Sequence, residues 1–212
     1  MACQHDSGKD CTYIEATQMQ AQELARAATN GSTSEVEAIL QRPQHPDMVD
    51  TQGTSPLMEA GADKNLGDND GYTGLMLASS QGQPAILEIL VATGADKNLR
   101  NNHGCTALML ASQEGHAEIV RLLLEAGADK SLASNHGYTA LTLAAHAGHA
   151  EVARLLLTDG ADTDMARINS GHTALMLASA QGHLDILQVL LEAGADKNLT
   201  TDDGCTALML AC

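Results

Sequence analysis

The tripeptide Gly-Ala-Asp recurs along this chain at a nearly constant interval, and this recurrence constrains the fold more than any other feature. The intervals between successive copies are 33, 33, 33 and 34 residues, from starts at Gly61, Gly94, Gly127, Gly160 and Gly194. The one extra residue lies in segment 163–170, which must be a turn because an insertion in a helix would shift its apolar register. A repeat of this length predicts a solenoid, in which each unit buries its apolar face against its neighbours.

The residues of a single unit, GCTALMLASQEGHAEIVRLLLEAGAD, predict its local structure. Thr106 is a good N-cap for a short helix at about 107–113. Gly115 ends this helix, because glycine readily takes a positive φ. Apolar residues at i, i+3 and i+4 predict a second helix at roughly 116–126. The polar residues 127–137 then predict a projecting hairpin or loop.

The composition limits both the core and the partners. The chain of 212 residues has no Trp, no Phe and three Tyr, so its core must consist of Leu, Ile, Val, Met and Ala. A net charge of −16 argues against binding to nucleic acid, which needs clustered Lys and Arg. No apolar run approaches the length of about 18 residues that would suggest a membrane span, and the start of the chain does not look like a signal peptide. We expect an intracellular, cytoplasmic protein, with the nucleus left open, that binds no membrane.

Five cysteines raise the question of disulfides or a metal. Cys105 and Cys205 occupy equivalent places three repeats apart, on the order of 25–30 Å if units stack at about 8–10 Å, whereas a disulfide allows about 7 Å between Cα atoms. Cys3 and Cys11 could pair if oxidised, but a reducing compartment favours free thiols. No C-x-x-C or H-x-x-x-H motif occurs, so we expect no metal and no cofactor.

The repeated pattern G-x-T-A-L-M-L-A-x-x-x-G-H-x-x-[IV]-x-x-L-L-L-x-x-G-A-D resembles the ankyrin repeat. Copies lie at 71–96, 104–129, 137–162 and 171–196, and a partial copy lies at 204–212. The segment LARAATNGSTSEVEAIL, at 24–40, resembles a degenerate first repeat. The resemblance implies an all-α ankyrin-repeat solenoid of stacked helix-turn-helix units with projecting hairpin loops.

Several positions depart from the pattern of that family. Gly74 replaces the Ala or Pro that begins the first helix elsewhere, at a cost of ~1 kcal/mol of local helix stability. Gln83 replaces the His that precedes the second helix, and the Pro84 that follows it is tolerated at a helix start. A family His is replaced, and its side-chain hydrogen bond lost, at Met58, Met76, Met109, Thr142, Met176 and Met209. The predicted turn-capping residues are Asp63, Asp96, Asp129, Asp162 and Asp196.

The stretch SPLMEAGADKNL, at 55–66, reads as a repeat that has lost its middle. Gly53 to Gly71 spans 18 residues, 15 fewer than a full repeat of 33, and the missing part includes nearly all of the second helix. We therefore expect the first repeat to be poorly docked on the regular stack. The predicted organisation is a polar disordered tail at 1–19, a degenerate repeat at 20–41, a linker with a truncated repeat at 42–60, four full repeats at 61–203 and an incomplete repeat at 204–212.

The sequence does not predict an enzyme. A catalytic site needs different residues that converge on one point, whereas a solenoid offers the same residue once in every repeat. His116, His149 and His183 recur at the start of the second helix, and we interpret them as structural. Signatures of Ser/His/Asp or Cys/His nucleophiles and of Gly-rich phosphate loops are missing.

Positions that differ between otherwise similar copies indicate a binding surface. The family resemblance implies that the hairpins and the ends of the first helices line a concave recognition face. We therefore expect a monomeric interaction module or scaffold for an unidentified protein, with Tyr and Arg as the favoured contact types. The candidate contact residues are Tyr72, Arg100, Asn101, Cys105, Gln113, Glu114, Tyr138, His146, Arg167 and His172.

Two alternatives stay open. The family resemblance implies that Asn65, Asn98 and Asn198, which follow G-A-D-K in the hairpins, are candidate substrates of an oxygen- and 2-oxoglutarate-dependent asparaginyl hydroxylase. Their plainer role is to form turns. In the second alternative, the chain is a regulatory fragment of a larger multidomain protein whose activity lies elsewhere.

Overall fold

The computed structural model describes residues 19–20, 22–41, 63–167 and 170–211. In these ranges the regular elements are helices, accompanied by two isolated β-bridges. The helices are α1 (helical residues 22–30), α2 (Thr33–Leu40), α3 (Gly74–Ser80), α4 (Pro84–Ala92), α5 (Ala107–Glu114), α6 (Ala117–Glu125), α7 (Ala140–Ala147), α8 (Ala150–Thr158), α9 (Ala174–Gln181), α10 (Leu184–Glu192) and α11 (Ala207–Leu210). The predicted all-α repeat fold is confirmed.

Local chemistry sets the ends of these helices as the repeat predicts. Thr106 caps α5, and its Oγ1 accepts a hydrogen bond from Met109 N at 3.4 Å. Gly115 ends α5 with a φ of +79°, and Gly127, just beyond α6, has the same φ. Observed and predicted helix bounds in this unit differ by about one residue, because the caps that define them are local.

Odd-numbered and even-numbered helices form two parallel rows. The first helices of neighbouring repeats (α3, α5, α7, α9 and α11) pack on one another, and so do the second helices (α2, α4, α6, α8 and α10). The first helices contact each other more extensively than the second helices do. The family resemblance implies that the side formed by the first helices is concave, and we name it the concave side. Five hairpin loops connect the repeats, and we name them H1 (63–72), H2 (96–105), H3 (129–138), H4 (162–167 with 170–172) and H5 (196–205).

Small aliphatic residues and methionines fill the core between the rows. Met76, Met109 and Met176 are each 1% exposed, so in these repeats apolar packing takes the place of a polar side chain. Thr142 is the exception, because its Oγ1 accepts a hydrogen bond from Thr139 N at 2.7 Å while Thr139 caps Thr142 N in return. In that repeat a side-chain hydrogen bond therefore remains at the substituted position.

Histidines at the start of the second helices join each repeat to the preceding one. The Nε2 atoms of His116, His149 and His183 bond to the carbonyl oxygens of Ser80 (3.1 Å), Gln113 (3.0 Å) and His146 (3.2 Å) respectively. This confirms the structural interpretation of the three histidines.

The N-terminal helix pair docks on the stack, so the prediction of poor docking is wrong. Leu24 and Val36 are 1% and 0% exposed, and α2 packs directly on α4. Two departures from the repeat pattern, at Gln83 and Gly74, allow α1 to pack against the next helix pair. Gln83, in the place of the joining histidine, donates its Nε2–H to Thr29 O at 3.0 Å. Gly74 lets Leu24 come close, since a Cβ at residue 74 would lie 3.1 Å from Leu24 Cγ.

No helix pair lies between α1–α2 and α3–α4 among the described residues, because the two pairs are in direct contact. The proposed tail at 1–19 falls almost entirely outside the described residues, and the proposed linker at 42–60 lies outside them. Both assignments stay predictions.

The C-terminal end of the described stack is apolar. In α10, Leu184 is 74% and Leu191 49% exposed, and in α11 Leu208 and Met209 are 77% and 63% exposed. The residues of α5 that are equivalent to Leu208 and Met209 are Leu108 and Met109, and each is 1% exposed. The residues of α3, α7 and α9 equivalent to Leu208 and Met209 are buried as well.

Candidate protein-binding face

In H1, H2, H3 and H5, one polar side chain of the loop accepts a hydrogen bond from the backbone of the same loop. In H2, Asn101 Oδ1 accepts hydrogen bonds from His103 N (3.0 Å) and Cys105 N (2.9 Å). Asn101 is only 5% exposed. We had expected Asn101 to contact a partner; the structure buries it and assigns its oxygen to the loop. Asp68, Ser134 and Thr201 hold H1, H3 and H5 in the equivalent way.

Hydrogen bonds also tie the tips of H1, H2 and H3 to one another. Asn102 Nδ2 donates to Asn69 O at 3.1 Å, and Asn135 Nδ2 donates to Asn102 O at 2.9 Å. The backbone adds parallel bonds, from Asn102 N to Asp70 O and from Asn135 N to His103 O, each at 3.0 Å. We name this set the asparagine ladder. Our prediction from the sequence missed it, although Asn at the same place in three consecutive units was the available signal.

A second row of hydrogen bonds joins the bases of the hairpins and involves the proposed modification sites. Asn65 Oδ1 accepts from Asp96 N at 2.8 Å, and Asn98 Oδ1 accepts from Asp129 N at 2.9 Å. Asn198 is exposed, like the other two asparagines. The expected turn-capping role is confirmed at Asp63, Asp96, Asp129, Asp162 and Asp196, whose Oδ1 atoms accept the backbone N–H two residues on.

The two arginines predicted as contacts differ in their surroundings. Arg100 Nη2 donates to Ala133 O at 2.7 Å and its Nε donates to Gly104 O at 3.1 Å, so its guanidinium already joins H2 to H3. The Arg167 guanidinium lies 3.8 Å from the centroid of the Tyr138 ring, a cation–π contact. The structure thus brings Arg167 and Tyr138 together as one surface feature.

A groove with a volume of about 530 Å³ lies on the concave side between H2, H3 and the helices α5 and α7. We name it the α5–α7 groove. Four of the predicted contact residues line it: Cys105, Gln113, Tyr138 and His146. It is completed by His103, Ser134, His136, Leu143 and Ala147. The histidines of the two hairpin tips were not among the predicted contacts, although both occur in an N-H-G sequence that marks the tip.

The remaining predicted contacts surround this groove or lie beyond it. Glu114 is exposed at the end of α5, where its Oε1 accepts a hydrogen bond from Gln113 Nε2 at 3.4 Å. Tyr72 lies on the H1 side. His172 is half-buried in H4, with its Nδ1 3.1 Å from Ser170 O.

The electrostatics place a neutral thiol beside Tyr72. Burial raises the pKa of the Cys105 thiol, and the nearby Arg100 guanidinium lowers it only in part. Burial also raises the pKa of Tyr72, with smaller contributions from Cys105, Asp68 and Asp70. Both groups therefore stay protonated at neutral pH.

The described residues do not group into a metal centre: nowhere among them do three or more His, Cys, Asp or Glu side chains lie together in a way that could hold an ion. In the same ranges, no helix is both long and apolar enough to cross a membrane. Chemically, the concave side offers hydrogen-bonding groups, aromatic rings and apolar surface on a frame of bonded hairpins.

Comparison with known families agrees with this architecture. A profile described as ankyrin repeats matches three overlapping stretches, at residues 24–134, 130–201 and 167–212. A comparison with curated proteins gave no significant match. The matched stretches together span residues 24–212 and include every helix pair described above. The chain belongs to the ankyrin-repeat family.

Proposed function

We propose that this chain is a non-catalytic scaffold that binds a partner protein inside the cell through its concave face. Ankyrin repeats are generally protein-interaction modules and are typically non-catalytic. The observation that carries the proposal is the α5–α7 groove. Its side chains of Gln113, His146 and Ala147 are exposed, and the hydrogen bonds that hold the hairpins and join the repeats do not use the Tyr138 hydroxyl or the His146 ring.

The frame around the groove supports a binding role. The asparagine ladder and the Arg100 bonds fix H2 and H3 relative to each other before any partner arrives. A preorganised surface loses little conformational entropy on association, so more of the contact free energy appears as affinity. The mechanism is rigid display of a surface, without bond chemistry.

The test compares a groove variant with a convex-face variant in affinity capture from the native host. The double variant Tyr138→Ala/His146→Ala should reduce recovery of the captured partner by at least about fivefold, because truncating an interface residue that contributes to binding costs more than about 1 kcal/mol. The control, Glu151→Ala/Arg154→Ala, alters exposed residues of α8 and should capture like the unmodified chain. Equal recovery of the same proteins by both variants would overturn the proposal, provided that their unfolding midpoints agree.

Asparaginyl hydroxylation is the second proposal, and the exposure of the three hairpin asparagines supports it. Asn65, Asn98 and Asn198 are all exposed, although the side-chain oxygens of Asn65 and Asn98 also hold the next hairpin. Peptide mass analysis of protein from its native host should find one added oxygen on at least one of the three asparagine peptides. Protein that carries no added oxygen on any of the three peptides would rule the proposal out.

A further inference from the structure

We propose that the α5–α7 groove receives one large apolar side chain from a basic segment of the partner, with Lys or Arg of that segment set against Glu114 and Asp70. This inference rests on the proposed function and adds the chemistry of the partner. It follows from two observations, the absence of Asp, Glu, Lys and Arg from the lining of the groove and the uneven distribution of charge around it.

The lining favours an apolar occupant. Leu143 is 9% exposed and forms the floor, and the half-buried Cys105 and Tyr138 form the walls. No Asp, Glu, Lys or Arg lines the groove, although the chain contains 27 acidic and 11 basic residues. A charged side chain that entered would lose its hydration without gaining a fixed counter-charge, which is costly. A Leu, Met or Phe side chain would instead bury apolar surface.

Carboxylates lie on the side of the groove that faces α3. Glu114 is exposed and bonded to Gln113, which lines the groove. Asp70 lies in H1, which bonds to H2 through Asn102, and Asp70 is close enough to Tyr72 to raise the pKa of that phenol. Neither carboxylate has an arginine or lysine partner within the ion-pair distance among the described residues.

Two arginines lie around the groove. Arg167 covers the Tyr138 ring on the H4 side. Arg100 is bonded to carbonyl oxygens of H2 and H3, and its charge lies near Cys105. The two carboxylates without an arginine or lysine partner therefore lie toward α3, and Arg167 lies toward α9. A basic residue of the partner would be attracted to the carboxylates on the α3 side. The bound segment therefore has a preferred orientation, with its basic residue toward α3. The net charge of −16 also steers basic partners in general.

The experiment uses a random-sequence peptide display library panned against the full chain at low salt. Peptides that elute specifically should share a large apolar residue with Lys or Arg nearby. The charge-reversal variant Asp70→Lys/Glu114→Lys should weaken these peptides by about tenfold, since each exposed attraction becomes a repulsion. The control Glu88→Lys/Glu151→Lys makes the same change of net charge on α4 and α8, and should change affinity by less than about twofold.

A second pair of variants tests the groove itself. Ala147→Trp fills the groove from the end of α7 and should abolish peptide binding, whereas Ala92→Trp adds the same bulk at the exposed end of α4 and should leave it intact. Enrichment of acidic peptides, equal binding to both charge-altered variants, or the absence of any peptide sensitive to Ala147→Trp would each overturn the inference. If this happens while Tyr138→Ala/His146→Ala still reduces partner capture, the scaffold function stands and only the chemistry assigned to the partner is wrong.

Discussion

Single residues in this fold act across the boundary between repeats, and Gly115 shows how. Its left-handed backbone suits glycine, but space is the stronger constraint, since a Cβ at residue 115 would lie 2.5 Å from the His149 ring. Gly182 occupies the same turn of a later repeat with a φ of +73°, and a Cβ there would meet nothing within 4 Å. Substitutions at these two glycines can therefore distinguish the cost of backbone strain from the cost of disturbing the contact between repeats.

We expect Gly182→Ala to lower the free energy of unfolding by about 1–2 kcal/mol, the cost of a left-handed alanine. Gly115→Ala should lower it by at least about 1 kcal/mol more, because the His149 ring must move and its bond to Gln113 O is weakened. Urea titration followed by circular dichroism measures both changes. Equal losses in the two variants would show that the ring contact contributes nothing.

Cys105 should behave as a poor nucleophile. Because burial raises its pKa, the thiolate fraction at neutral pH is lower than in a free peptide, and only the thiolate reacts. Alkylation by iodoacetamide at pH 7.5 should be slower than that of an unstructured cysteine peptide, and urea should remove the difference. Since the folded state holds this proton more tightly, stability should fall as pH rises above the ordinary thiol value of about 8.5. Faster alkylation in the native chain than in urea would contradict the assignment.

Residues whose role is local were predictable from one sequence. Thr106 and the hairpin aspartates act within three residues of themselves, so their types and spacing were sufficient. The roles of Arg100 and Asn101 were not predictable. Variation between copies does not distinguish a side chain that meets a partner from one that holds the next hairpin.

Helix pairs are the units that dock, and the N-terminal pair shows that a poor sequence match can still dock well. By sequence alone, Gly74 is a cost to local helix stability, and Gln83 is a tolerated replacement of a recurring histidine. The structure shows that both departures face α1, where one allows Leu24 to approach and the other bonds to Thr29 O. A sequence considered repeat by repeat cannot show such compensation, because the two partners are about 50 residues apart in the chain.

Gln83→Ala should loosen the N-terminal pair alone. Loss of the bond to Thr29 O costs about 1 kcal/mol, so amide hydrogens of α1 and α2 should exchange about fivefold faster while those of α5 and α6 keep their rates. Hydrogen exchange read by mass spectrometry resolves the two regions. Gln81→Ala, at an exposed position beside it, is the control, and unchanged exchange in α1 and α2 would refute the role given to Gln83.

At the scale of the molecule, stability is a sum of contacts between neighbouring repeats, so the same substitution has different effects along the stack. Met109 and Met209 occupy equivalent positions but are 1% and 63% exposed. Met209→Lys should change the free energy of unfolding by no more than about 0.5 kcal/mol. Met109→Lys should lower it by about 3 kcal/mol or more, because it buries an unpaired charge. Thermal and urea unfolding of both variants measure this, and similar losses would show that the C-terminal end is covered in solution.

The direct contact between α2 and α4 also bears on how such a chain changes over evolutionary time. Since every repeat offers its neighbour nearly the same surface, two pairs can join even when the chain between them carries a truncated copy. A deletion within one repeat then shortens the recognition surface by one unit, while the packing contacts between the remaining helix pairs are kept. The number of repeats becomes a trait that selection can adjust in whole steps, separately from the packing that keeps the array folded.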